Sequence, residues 1–117
     1  MTTVEVQIGS KIFTAKLFDN ASSQALMARM PMTLTMSELN KNEKYYNMPN
    51  RLPANSQHVG KFNTGDLMLY GSDCLVLFYK SFNTSYSYTR LGYIEDTSGL
   101  ANALGSGSVQ VTFSLAM

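Results

Sequence analysis

Cys74-Leu-Val-Leu-Phe-Tyr-Lys-Ser-Phe-Asn-Thr-Ser-Tyr-Ser-Tyr-Thr-Arg-Leu-Gly92 decides the architecture. Cys74–Tyr79 is the longest apolar run in the chain and reads as a buried strand. Ser81 to Ser85 is polar apart from Phe82, and a strand resumes from Tyr86 to Ile94. Upstream, Gly71-Ser-Asp73 joins the apolar run to a second short strand, Leu67–Tyr70. Short strands in close succession with turn residues between them point to an antiparallel all-β fold.

The flanks agree. Val4, Val6 and Ile8 alternate with Glu5 and Gln7, Gly9-Ser10 makes a two-residue turn, and Phe13, Ala15 and Leu17 share one face of the return strand. Met32, Leu34 and Met36 alternate with Thr33, Thr35 and Ser37, the cleanest strand pattern in the chain. Val109, Val111, Phe113 and Leu115 form the last strand. Two short helices are expected. Asn20 is a fitting N-cap for Ala21–Met30, which Pro31 ends. Asp96 caps the second, with Leu100, Ala103 and Leu104 on one face and Gly105 just past its end. Glu38–Lys44 reads as a charged polar segment and Pro49–Asn63 as a long loop.

The count is seven or eight strands and two helices. Helices in only two connections argue against a parallel doubly wound sheet. They argue for a mainly β fold, a closed antiparallel barrel with helices over its open ends, since closure removes exposed edges. The expected organisation is one domain over residues 1–117.

Composition excludes several functions. Charged residues are 15% against a usual ~25%, and Ser, Thr and Asn fill the gap. The net charge of +1 gives no field for nucleic acid or an acidic membrane surface. Cys74 is the single cysteine, which forbids an internal disulfide, and it reads as a small core hydrophobe. The single histidine, His58, sits in a loop, and no motif joins it to Cys74 as a dyad. Zinc ligand sets, calcium loops and Gly-rich phosphate loops are absent, so no cofactor is expected. Nothing spans a bilayer as a helix, and the first residues show no leader. The expected compartment is the cytoplasm, or a secreted or lipid-anchored state if a signal peptide has been removed.

Three stretches, Leu34-Thr-Met-Ser-Glu-Leu-Asn40, Gly65-Asp-Leu-Met-Leu-Tyr70 and Leu75 to Gly92, resemble in order and spacing the small bacterial cyclophilin-like proteins, a largely uncharacterised family. The resemblance covers roughly residues 4–115 and implies an eight-stranded barrel with two capping helices. The family's name invites prolyl cis–trans isomerisation. True isomerases carry a Phe-His-Arg-Val stretch, a Phe-Met-x-Gln-Gly-Gly-Asp stretch and a later Trp or His. This chain has none of these stretches and no Trp, and no Gln precedes Gly65-Asp66. Arg29, Arg51 and Arg90 are its only arginines, and none stands in the isomerase context. Fold does not transfer function by itself.

The richest candidate site is Tyr79 to Arg90. Tyr79, Phe82, Tyr86 and Tyr88 alternate with hydroxyl residues, a composition suited to peptide or sugar recognition. There Tyr86 and Tyr88 would stack on a ligand, Ser87 would offer a hydroxyl, and Arg90 would hold a carbonyl or carboxylate. The alternative is that these rings fill the barrel and Arg90 makes a structural ion pair. A methionine group, Met27, Met30, Met32 and Met36, suits an adaptable groove or plain core, and Met36 is kept as a binding candidate. The segment Tyr45-Tyr46-Asn-Met-Pro49 with Arg51 reads as a loop that gates a barrel mouth or lies on the surface. The expected function is a non-enzymatic domain binding a peptide or small molecule in a groove at the barrel. The alternatives are a weak prolyl isomerase with a rebuilt site and a structural or oligomer-forming module. The expected state is a monomer or weak homo-oligomer.

Overall fold

A computed structural model describes residues 1–116. The strands are β1 (Thr2–Ile8), β2 (Lys11–Leu17), β3 (Met32–Leu39), β4 (Glu43–Asn47), β5 (Gln57–His58), β6 (Lys61–Phe62), β7 (Asp66–Tyr70), β8 (Cys74–Phe78), β9 (Phe82–Asn83), β10 (Ser87–Ile94) and β11 (Val109–Leu115). The helices are α1 (Ala21–Met27) and α2 (Leu100–Leu104). Eight strands run antiparallel in the order β2-β1-β11-β3-β4-β8-β7-β10, and β10 returns to β2 to close the barrel. β5 extends the β10 edge, and β6 with β9 forms a separate two-stranded ribbon.

Period-two patterning builds the interior. Val4, Val6, Phe13, Ala15 and Leu17 are buried while their neighbours in sequence are more exposed. Gly9, with φ of +61°, supplies the positive dihedral that the two-residue β1–β2 turn needs. The helices close opposite ends: α1 follows β2, α2 follows β10, and β2 and β10 are antiparallel neighbours. Leu26 from α1 and Leu100 and Leu104 from α2 join the interior core. The Asn20 side chain accepts from Ser23 N at 2.8 Å, as an N-cap should.

A bulge interrupts β10 between Arg90 and Gly92. Its freed carbonyls are bound by the start of α1. Asn20 Nδ2 donates to Arg90 O at 3.0 Å, and Ser23 Oγ donates to Leu91 O at 2.8 Å. The helix N-terminus therefore pins the seam where the barrel closes.

A second small core lies on the outer wall. Alternation along β8, β7 and β10 sends Leu75, Leu77, Leu67, Leu69 and Leu91 inward, and sends Val76, Phe78, Met68 and Tyr88 outward. The β6–β9 ribbon covers this outer group through Phe62, whose ring stacks on Phe78 at 3.6 Å between centroids.

Four sequence expectations change. The charged segment Glu38–Lys44 and the loop at Tyr45–Tyr46 are a β3–β4 hairpin in the barrel wall, so these tyrosines form no gate. Lys44 in it is fully buried. Its Nζ donates to Glu38 Oε1 at 2.9 Å, Gly105 O at 2.9 Å and Gly107 O at 2.5 Å, which uses all three of its protons. Helix α1 stops at Met27, and a looser turn carries the chain to Met30. The N-cap of α2 is Gly99; Asp96 instead accepts from Ser98 N at 3.0 Å in a turn. The Pro49–Asn63 loop carries the two short strands β5 and β6.

Candidate functional site

β4, β8, β7 and β10 lie side by side, and their outward side chains form one surface. Tyr45 comes from β4, Cys74 and Val76 from β8, Tyr70 from the end of β7, and Tyr88 from β10. Together with Leu39, Glu43 and Tyr86 they enclose a trough of about 300 Å³. Tyr86 stands just before β10 and meets Tyr70 edge to face at 5.9 Å, while Tyr70 also tilts against Tyr88 at 5.5 Å. Tyr88 is buried and fixed edge-on to Phe78 at 5.7 Å. Tyr70 and Tyr86 are 46% and 61% exposed, so the rim is aromatic and wet while the floor is apolar and dry. Leu39, a third exposed hydrophobe at 44%, completes the rim. Grouped exposed apolar side chains mark interaction surfaces more often than scattered ones do.

Glu43 is the one acidic side chain lining this trough. It is 8% exposed, and among the described residues no cation lies within 4.0 Å of its carboxyl. Burial, reinforced by the nearby Glu38 charge, pushes its pKa up to about 7. A carboxyl whose folded pKa is raised favours the native state below its ordinary pKa, and that contribution is lost as pH rises through about 7. Glu43→Gln is therefore expected to be more stable than the parent by about 3 kcal/mol near pH 8, with the difference vanishing near pH 4. Urea unfolding at the two pH values checks this. An equal difference at both would mean the carboxyl titrates normally.

The sequence-derived candidates divide among several places. Tyr86 and Tyr88 belong to the trough. Ser87 is exposed on β10 opposite His58. Phe82 is 58% exposed on the ribbon, its ring 6.0 Å from Phe62. Tyr79 lies apart from the trough. Its hydroxyl donates to Glu38 Oε1 at 2.7 Å, and its ring lies 5.5 Å from Lys44 Nζ, so it serves the buried Lys44 network. Burial and the Glu38 bond push the Tyr79 phenol up to about 12. Glu38 goes the other way: burial raises its pKa, but the bonds from Lys44 and Tyr79 outweigh this and hold it low. Met36 also lies apart from the trough, fully buried in the barrel interior.

Arg90 opens onto another cleft, of about 480 Å³, beside Phe18, Pro53 and Gln57. Three of its polar neighbours there are already engaged. Asn20 caps α1, Ser22 Oγ donates to Pro53 O, and Thr89 Oγ1 accepts from Asn55 N at 2.9 Å. The cleft is a joint between α1, the Pro53–Gln57 loop and β10, with the Arg90 and Gln57 side chains exposed at it.

Tyr45, Tyr70, Glu43 and Cys74 were not picked out from sequence as trough residues. The pairing of β4 with β8 brings Glu43 and Tyr45 beside Cys74, the pairing of β7 with β10 adds Tyr70, and neither pairing has a local signature.

Comparison with known proteins bears on the fold. The solution structure of a hypothetical protein of Archaeoglobus fulgidus, AF2241, superposes with a TM-score of 0.66 at 14% identity, over 98% of this chain and 95% of that one. That likeness is one of architecture. No curated protein matches the chain. A family model matches residues 6–114, from within β1 to within β11, and so takes in the closed barrel, the ribbon and both helices. By that match the chain belongs to the Cyclophilin-like family.

Proposed function

We propose that this barrel is a binding domain without catalytic chemistry of its own, and that an extended peptide or a small molecule lies in the outer-wall trough. The observation that carries the reading is the clustering of Leu39, Tyr70 and Tyr86, all large and exposed, around one concave apolar floor. Rigid rings with two side-chain torsions give contact area at low entropic cost. The neighbouring Tyr88 is locked by packing, which presents a pre-set wall to a ligand. The Arg90 cleft is the weaker choice because three of the polar side chains that line it, Asn20, Ser22 and Thr89, are engaged within the fold.

The test uses a blocked alanine-based pentapeptide with a central norleucine. Tyr86→Ala is expected to weaken its binding about tenfold, or about 1.4 kcal/mol, in a fluorescence or NMR titration. Tyr86 is 61% exposed, so the variant should fold. Unchanged affinity would remove the trough from consideration.

A further inference from the structure

We propose that the trough takes a primary alkylammonium group, as on a lysine side chain, with the Glu43 carboxylate as its counter-charge and Tyr70 and Tyr86 as its walls. The proposal rests on the reading of the trough as the binding site, and it names the ligand chemistry that site selects.

The geometry supplies the argument. Glu43 is more than nine-tenths buried, lines the trough, and has no cationic partner within 4.0 Å among the described residues. Its sequence neighbour Lys44 bonds elsewhere, to Glu38 and the Gly105 and Gly107 carbonyls, with no proton to spare. A buried carboxylate without a partner is costly, and a ligand cation that reaches it recovers part of that cost. An ammonium suits the surroundings: it donates three hydrogen bonds, its alkyl stem can lie on the apolar floor, and the ring faces attract its charge.

The electrostatics add a pH window. The groups that couple to Glu43 are Glu38 from β3, Cys74 from β8, Tyr79 just beyond β8, and Tyr88 from β10. Glu38 is held low, whereas Cys74, Tyr79 and Tyr88 are all pushed up, in each case first by burial. Between about pH 6 and pH 8, Glu43 is thus the member of this set that changes charge, while a lysine ammonium stays protonated. Ammonium binding should strengthen across that window.

The experiment compares two blocked pentapeptides that differ only at the centre, lysine against norleucine, with n-butylammonium as the free-amine probe. Near pH 8 the lysine peptide is expected to bind about tenfold tighter than the norleucine peptide, and the advantage should shrink near pH 6. Glu43→Gln should abolish the advantage, and n-butylammonium should compete for the site. Equal binding of both peptides, each weakened by Tyr86→Ala, would overturn the ammonium proposal and leave the trough in place. A lysine advantage that survives in Glu43→Gln would also overturn it. Binding of either peptide that ignores Tyr86→Ala would overturn the trough and the proposal together. A lysine peptide that binds where n-butylammonium does not compete would contradict recognition of the ammonium itself.

Discussion

Gly92→Ala is expected to cost about 3 kcal/mol or more and to lower the unfolding temperature by about 12 °C. A Cβ at this position would lie 2.6 Å from Leu17 Cδ2 and 2.9 Å from Leu17 Cα, and would run into the Lys16 carbonyl oxygen. Two of those three contacts are backbone, which cannot swing aside as a side chain can. Gly92 pairs with Leu17 in the short β10–β2 contact that closes the barrel. The strain therefore falls on the seam, next to the bulge whose carbonyls α1 holds. Gly9→Ala, at an open turn with nothing within 4 Å, should show only the smaller penalty of its positive φ. Thermal unfolding of the two variants compares them directly. Equal losses would mean the seam has room to give.

Lys44→Met is expected to cost about 3–5 kcal/mol. The methionine fills the volume but strands a Glu38 carboxylate whose side chain is 20% exposed, together with the Gly105 and Gly107 carbonyls. Those two carbonyls belong to the connection from α2 to β11, so the loss should be felt at the α2 end of the barrel. Adding Glu38→Gln to Lys44→Met should recover part of the stability, because the unpaired charge is then gone. Denaturant unfolding of the two singles and the double measures the coupling. Additive losses would show that the pair contributes independently and that the network is incidental.

The barrel was legible in the sequence because most of its strands alternate cleanly and the turns at Gly9 and Gly71 use glycine at positive φ. The β3–β4 hairpin was not. Its turn places Asn40 and Lys41 at φ of +57° each, and a lysine there hides a turn that glycine would announce. Strand β4 also breaks the expected pattern by burying Glu43 and Lys44 together, so a pair of charges reads as surface when both are inside. The same hidden strand explains the site. Tyr86 and Tyr88 were found from local aromatic density, but Glu43 and Tyr45 reach the trough through β4, and Tyr70 through the β7–β10 pairing. Arg90 lies on the same strand as Tyr88 and yet lines another cleft, beside α1 and the Pro53–Gln57 loop.

Residue-resolved amide NMR shifts, recorded while the blocked lysine pentapeptide is added near pH 8, test the binding reading most directly. The expected result is saturable shifts centred on Glu43, Tyr45, Tyr70, Cys74, Tyr86 and Tyr88. Shifts centred instead on Asn20, Asn55, Gln57 and Arg90 would contradict it and make the α1 joint the site, and the absence of any saturable shift would contradict it as well.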